Sequence, residues 1–371
     1  MKIILAVNTL ASFISHRRGL FLKLRDKHKV LVILPDSEDP KAVSKEIPAD
    51  QLLGIRFNRK GLNPFAELKT VAAYYSLYRD NKPDLVHHFT PKPVIYGTIA
   101  ARLAGVPRIV NSITGLGFVF TTKSPKTRIL SLLVKALYRL CLHSSNVRVI
   151  FQNTDDRDFF IENKICSAAS TYLVEGSGVD VHRFQPSATT NVVPTILVAS
   201  RLLRDKGIFE FMDAMKILKD KGIIFKAQIA GDIDLHNPAS ATKEQVLAWQ
   251  EQNLAEFLGL RHDMTALLAG TDICCLPSHR EGLSMSLLEA MAAGKPIVTT
   301  NAPGCRSTVP AGANGILVPV NDAAALAAAL EKLILNAALR ESMGAESRKL
   351  AVERFSTERI THQIAQVYET Y

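Results

Sequence analysis

Apolar residues fall in short unbroken runs along this chain. Lys2-Ile-Ile-Leu-Ala-Val7 opens it, and Lys29-Val-Leu-Val-Ile-Leu34, Asp84-Leu-Val86, Arg108-Ile-Val110 and Val147-Arg-Val-Ile-Phe151 follow. Helix-like stretches separate them, among them residues 68–79 and 94–104, the latter stopped by Gly105 and Pro107. Strands that are apolar on both faces and alternate with helices build a parallel sheet covered on both sides.

A polar stretch, residues 187–191, interrupts the pattern after Pro186, and the same rhythm restarts at Thr195-Ile-Leu-Val-Ala199. Further runs lie at residues 225–230, 273–277, 296–299 and 315–318, before helix-like segments at 323–335, 339–355 and 357–371. A chain of 371 residues exceeds what one core usually serves. The expectation is an α/β protein with two Rossmann-like doubly wound domains facing a cleft: residues 1–186, residues 187–356, and a final helix, 357–371, returning to the first domain. Open parallel sheets bind ligands outside the carboxyl ends of their strands, at the point where strand order reverses. The turns after the strands are therefore where chemistry is expected.

The composition changes the picture in two ways. Five cysteines (Cys141, Cys166, Cys274, Cys275 and Cys305) form no CxxC, and two of them sit inside an apolar strand, so they read as reduced core residues of a cytoplasmic protein. The formal charge of +10 is uneven, about +12 over residues 1–185 and −2 over the rest. No segment approaches 18 uninterrupted apolar residues, and the opening strand is too brief for a signal-peptide core, so the chain is expected neither to span a membrane nor to be secreted. From Lys123 to Arg148 there are Lys/Arg at 123, 126, 128, 135, 139 and 148, no acids, and interleaved leucines. That pattern predicts an interfacial helix on anionic lipid, whereas an ordinary core helix would carry some acid on its solvated face. Nucleic acid is disfavoured, because the basic stretch has few aromatics for stacking and no recognised motif.

The most informative segment is Ser278-His-Arg-Glu-Gly-Leu-Ser-Met-Ser-Leu-Leu-Glu-Ala-Met-Ala-Ala-Gly-Lys-Pro296. Ser284 reads as the N-cap of a helix that stops at Gly294. Backbone N–H groups around Leu283 to Met285 would then point out of the helix start toward a diphosphate, with Gly282, Leu283 and Ser284 among the donor-binding residues. Glu281 and Glu289 are separated by seven residues, placed so that one acid faces hexose hydroxyls and the other ribose hydroxyls. A helix start alone does not neutralise a diphosphate. Ala199-Ser-Arg-Leu-Leu-Arg-Asp-Lys-Gly207 supplies Arg201, able to bind phosphate bidentately, and Lys206, a point charge. These cations suffice for a departing nucleotide without metal. Asp232-Ile-Asp234 spells a metal-binding DxD, but at a strand end in a chain already supplied with phosphate cations it reads as loop chemistry.

In these residues the chain resembles glycosyltransferase family 4, with the GT-B fold. The Glu-x7-Glu pair, Arg201 and Lys206, and Ile229-Ala-Gly231-Asp232 match in order and spacing over nearly the whole chain. The resemblance implies that Arg201 and Lys206 hold the diphosphate, Glu281 contacts the donor sugar, Glu289 binds ribose, and the backbone at Phe257-Leu-Gly259 meets the base. Phe13-Ile-Ser-His-Arg17, Leu62-Asn-Pro-Phe65, His87-His-Phe-Thr-Pro-Lys-Pro93 and Asn111-Ser-Ile-Thr-Gly-Leu-Gly-Phe118 resemble bacterial enzymes that build undecaprenyl-diphosphate-linked glycans, N-acetylgalactosaminyltransferases among them. The chain departs from the family at Thr114, where many members carry His. The implied activity is retaining transfer of an N-acetylhexosamine from a UDP-sugar, with no cofactor, to a polyprenyl-diphosphate-linked acceptor in surface polysaccharide assembly. The implied place is the cytoplasmic face of the bacterial inner membrane. His16 and His88, on turns opening to the cleft, are expected to contact donor or acceptor, and Gly115 and Gly117 to let the backbone approach the donor sugar. A nicotinamide dehydrogenase is disfavoured, since no GxGxxG follows the first strand. A nucleotide-sugar epimerase and a non-catalytic nucleotide-sugar-binding protein are the alternatives.

Overall fold

The structure is a computed structural model that describes residues 1–56, 64–116, 125–187, 191–235 and 237–371. The chain divides into two units, residues 1–178 with 357–371, and residues 179–356. The division lies at Gly178/Val179, ahead of the sequence-based boundary at 186, because Val179 N–H donates to Phe355 O (2.8 Å) and Val181 and Phe184 are buried in the second unit's core.

In the first unit the strands are β1 (Lys2–Ala6), β2 (Lys29–Pro35), β3 (Leu52–Ile55), β4 (Leu85–Phe89), β5 (Arg108–Ile113), β6 (Val147–Phe151) and β7 (Thr171–Leu173). They pair in parallel in the order β3-β2-β1-β4-β5-β6-β7, so strand order reverses between β1 and β4. Alternation explains the unbroken apolar runs. Ile4 and Ala6 of β1 pack on one face and Ile3, Leu5 and Val7 on the other, and both faces are buried.

The second unit repeats the plan with β8 (Thr195–Ala199), β9 (Lys226–Ala230), β10 (Glu256–Gly259), β11 (Ile273–Leu276), β12 (Ile297–Thr300) and β13 (Gly315–Val318). Their order, β10-β9-β8-β11-β12-β13, reverses between β8 and β11. All five cysteines are buried and unpaired, and burial pushes each thiol well up, as expected of core residues.

Three short edge strands, β3, β7 and β10, were not legible as apolar runs. They hold three or four residues each and are half-exposed at most positions. The segment after β4 also differs from the single helix that its pattern predicts. A π-turn, Pro93–Gly97, precedes the α-helix Thr98–Leu103, and Gly97 gives the His88 ring room, since a Cβ there would fall 2.6 Å from its Cδ2.

The terminal helix Thr357–Tyr368 buries Ile360, Ile364, Val367 and Tyr368 in the first unit's core, beside Leu20, Phe21 and Leu24 of the helix Arg18–Arg25. Each such side chain contributes about 1.5–3 kcal/mol of burial. A polar anchor joins the helix to the sheet: the Tyr368 hydroxyl lies 2.7 Å from His87 Nδ1, and His87 Nε2 lies 2.8 Å from the Ser112 hydroxyl. Tyr368→Phe strips a fully buried ring nitrogen of its partner, so urea denaturation should show a loss of about 1–3 kcal/mol. An unchanged midpoint would mean that this bond does not hold the helix.

Candidate functional site

The predicted donor residues of the second unit gather at the carboxyl ends of β8 and β11, where strand order reverses. Arg201 lies two residues past β8 and Lys206 ends the short 3-10 turn Arg204–Lys206. That turn is fastened to the end of β11. The Ser278 hydroxyl and the His279 N–H both donate to Asp205 O, each at 2.9 Å. Gly207, at φ +73°, lies so close to Pro277 that a Cβ would fall 2.0 Å from the Pro277 carbonyl oxygen, so only glycine fits. The result is an ion pair, Lys206 Nζ to Glu281 Oε1 at 2.5 Å, with both side chains mostly buried. Glu281 is fixed in turn, because its N–H donates to Pro303 O at 3.0 Å and Gly304, at φ +74°, packs on its carbonyl.

Arg201 is 59% exposed, and its Nη1 donates to Asp234 Oδ2 at 2.9 Å. The second aspartate of the DxD thus faces a guanidinium. Gly231 lets β9 run against the end of β8, for a Cβ there would fall 1.8 Å from Ser200 O, and its N–H donates to Gly259 O at 2.8 Å. Gly259 takes the left-handed φ of +64° next to Phe257, whose ring stacks on Trp249 at 5°. The helix Met285–Ala292 starts after Ser284, as its spacing predicts, but the Ser284 side chain does not cap it. The hydroxyl turns instead to the Ser286 hydroxyl, 3.0 Å away. Leu283 is buried beneath the helix start in the core that also holds Leu287 and Leu288. Glu289, one turn into the helix, is largely buried, and that burial pushes its carboxyl up to about 7 against the opposing pull of Arg183.

In the first unit, Thr114 and Gly115 follow β5, Gly115 at φ +132°. Gly117 and Lys123, with the side chains of Lys126 and Arg128, lie outside the described residues. His87 and His88 point to opposite faces of the sheet. His88 Nδ1 lies 2.9 Å from Asn111 Oδ1 and its Nε2 2.8 Å from the Tyr78 hydroxyl. An amide oxygen only accepts, so Nδ1 carries the proton and Tyr78 donates to Nε2. Both nitrogens are occupied, the ring is fully buried, and burial lowers its pKa to about 4. His88 is therefore placed as a neutral strut of the core, not at the surface of a cleft. His16 is half-buried, lowered to about 4 first by burial and then by Arg17 against a smaller opposing pull of the Ser12 backbone, and its Nδ1 makes no well-aligned hydrogen bond. Thus Arg201, Lys206, Gly231, Gly259, Gly282, Leu283, Ser284, Glu281 and Glu289 belong to one unit, and His16, His88, Thr114 and Gly115 to the other.

Two family models match in tandem. One described as glycosyl transferase 4-like matches residues 2–153, and one described as glycosyl transferases group 1 matches residues 183–350. The chain belongs to these glycosyltransferases. It is 26% identical over 362 residues to the N,N'-diacetylbacillosaminyl-diphospho-undecaprenol alpha-1,3-N-acetylgalactosaminyltransferase of Campylobacter jejuni, with 92% of each chain covered. It is 27% identical to the capsular polysaccharide biosynthesis glycosyltransferase CapM of Staphylococcus aureus, covering 98% of this chain and 96% of CapM. Among solved structures, Anabaena HepE in complex with UDP superimposes with a TM-score of 0.79 at 21% identity, covering 100% of both chains. Sucrose-phosphate synthase of Thermosynechococcus elongatus gives 0.80 at 19%, covering 100% of this chain and 98% of that one. These structural likenesses establish the GT-B fold.

Some partners in this glycosyltransferase were missed from sequence. The loop reading of Asp232-Ile-Asp234 names no partner for Asp234, nothing in the local pattern singles out Arg183, and Gly304 is signalled by the Pro303-Gly304 turn. The Glu289 carboxyl has a testable consequence. Its folded-state pKa of about 7 exceeds the ordinary 4.5, so between those values the folded chain binds more protons than the unfolded one, and stability falls as pH rises through the window. Urea denaturation from pH 4 to 8 should show Glu289→Gln free of this loss, gaining on the order of 3 kcal/mol over the parent at pH 8. Parallel pH profiles would place the carboxyl in water instead.

Proposed function

We propose that this glycosyltransferase moves an N-acetylhexosamine, GalNAc or GlcNAc, from a UDP-sugar to an undecaprenyl-diphosphate-linked glycan, with retention at the anomeric carbon and no metal. The observation that carries the reading is the Lys206–Glu281 pair at the β8/β11 reversal, with Arg201 on the adjoining turn and the helix Met285–Ala292 starting just beyond Glu281. A cation held against an acid suits a bound sugar diphosphate: the ammonium meets the leaving phosphate, the carboxylate meets sugar hydroxyls, and ribose hydroxyls go to Glu289. Asp234 pairs with Arg201 only until a diphosphate competes for the guanidinium, since a phosphate offers the same bidentate geometry with more charge. The acceptor hydroxyl bonds to the anomeric carbon as the bond to the diphosphate oxygen breaks, on the same face. Its proton passes to that departing oxygen, which Lys206, Arg201 and the helix start stabilise. No histidine is needed at Thr114 for this step. The relatives named for undecaprenol-linked acceptors support the choice of acceptor.

We place the enzyme on the cytoplasmic face of the inner membrane. Among the described residues, Lys135 and Arg139 are tied to Asn163 and Lys164, and Arg148 lies over the Tyr371 ring. The basic side chains described are thus partly spent inside the unit, while Leu132, Leu133 and Leu140 of the helix Pro125–Leu142 stand exposed. The apolar ridge supplies the insertion and the unit's excess positive charge the attraction. The triple variant Leu132→Ser, Leu133→Ser, Leu140→Ser should sediment several-fold less with anionic vesicles; equal sedimentation would remove the ridge from the interface.

The deciding assay is nucleoside diphosphate release from UDP-, GDP- and TDP-sugars, with and without an undecaprenyl-diphosphate-linked amino sugar in detergent. Release is expected only with a UDP-N-acetylhexosamine and the lipid together. Conversion of the donor alone would identify an epimerase. Lys206→Ala should lower kcat by about 10²–10³-fold with little change in acceptor KM, and an unaffected kcat would take Lys206 out of the mechanism.

A further inference from the structure

The first sheet has its own reversal point, between β1 and β4, and four buried polar atoms without a hydrogen-bond partner belong to the segments around it: Asn8 Oδ1, His16 Nδ1, Arg17 Nε and Thr90 Oγ1. Topology brings them together. Ala6 pairs with His88 in register, and Asn8 and Thr90 each follow two residues past that last pair, at the carboxyl ends of adjacent strands, Thr90 in the left-handed region at φ +71°. His16 and Arg17 lie where the helix Leu10–His16 gives way to Arg18–Arg25, and the Arg17 guanidinium stacks 4.0 Å from the ring centroid of Phe89, the residue before Thr90.

Arg17 is the unusual member. It is 3% exposed, yet among the described residues no carboxylate pairs with it and no carbonyl accepts from it. Its polar surroundings are the neutral His16 and His87 and the Tyr368 hydroxyl. A desolvated guanidinium with neither counter-charge nor acceptor is costly, enough to lower its own pKa to about 9, and a fold keeps one where a ligand supplies what is missing. The unpartnered atoms describe that ligand. Arg17 calls for an anion, the Thr90 hydroxyl can donate to it, and the Asn8 carbonyl oxygen accepts only from a donor such as a hydroxyl. Anion and hydroxyls side by side are the chemistry of a glycosyl phosphate. A neutral glycan would leave Arg17 uncompensated.

We propose that the β1/β4 reversal point binds the sugar-phosphate end of the acceptor, with Arg17 on the phosphate nearest the sugar and Asn8, His16 and Thr90 on its remaining polar groups. The proposal rests on the lipid-diphosphate reading of the acceptor, but its test needs no transfer. N-acetylglucosamine 1-phosphate is titrated into the full chain by calorimetry in saturating UDP, which keeps the donor site filled. The wild type should bind it, Arg17→Met should bind at least tenfold more weakly, and Arg17→Lys, which keeps the charge but not the fork, should lie between. UDP affinity should stay within about twofold in both variants. Without ligand, Arg17→Met should melt no lower than the wild type, since it loses an uncompensated charge and no hydrogen bond while the Met side chain still packs on Phe89, whereas a structural arginine would cost stability. With the lipid acceptor, Arg17→Met should raise acceptor KM at least tenfold and change kcat little. No binding by the wild type, equal binding by Arg17→Lys and wild type, or a loss of UDP affinity matching the loss of sugar phosphate would each overturn the assignment. The donor-release assay judges the transferase reading separately.

Discussion

The approach of one turn to one strand end governs the second unit. Lys206 and Glu281 are 75 residues apart in sequence, and what joins them is the seating of the Arg204–Lys206 turn on Pro277 and Ser278. Two constraints hold that seat: Gly207 lies where any side chain would strike the Pro277 carbonyl, and Asp205 O accepts from both the Ser278 hydroxyl and the His279 N–H. The cation and the acid are held in place by backbone contacts rather than by their own attraction. A mostly buried pair carries desolvation costs comparable with its Coulombic gain, so it marks a prepared electrostatic environment better than it marks stability.

The same parallel architecture produces two reversal points with opposite electrostatic character. At β8/β11 the charges are matched, Lys206 to Glu281 and Arg201 to Asp234. At β1/β4 the buried Arg17 has no charge partner among the described residues. Sheet topology explains why polar residues collect at both places. Adjacent strand-end loops lead away to opposite sides of the sheet there and leave a crevice, and a crevice is where buried polar atoms can wait for a ligand.

The adjacent histidines His87 and His88 show how the sheet assigns roles. Successive residues of a strand face opposite sides, so the pair is split: His87 joins Tyr368 and Ser112 on the side covered by the terminal helix, and His88 joins Tyr78 and Asn111 on the other. Each ring is saturated by neighbours from distant parts of the chain. Together they tie helices to both faces of the sheet.

The sequence alone determined the parallel strand rhythm of both halves and the helix beginning after Ser284, and it brought Arg201, Lys206, Glu281 and Glu289 forward as candidates. All of these are written in local spacing, either the apolar period of an element or the charges on one turn. Edge strands escaped because they are short and half-exposed, which leaves no apolar run to see. Pairing was decided only by tertiary structure: that Asp234 meets Arg201, that Arg183 stands near Glu289, that His88 is enclosed rather than presented, and that Arg17 is buried over the Phe89 ring with no carboxylate beside it among the described residues. The physical reason is that a hydrogen-bond partner is a neighbour in space. Residues 10, 75 or 281 positions apart become neighbours only when the parallel strands carry their loops to a common edge.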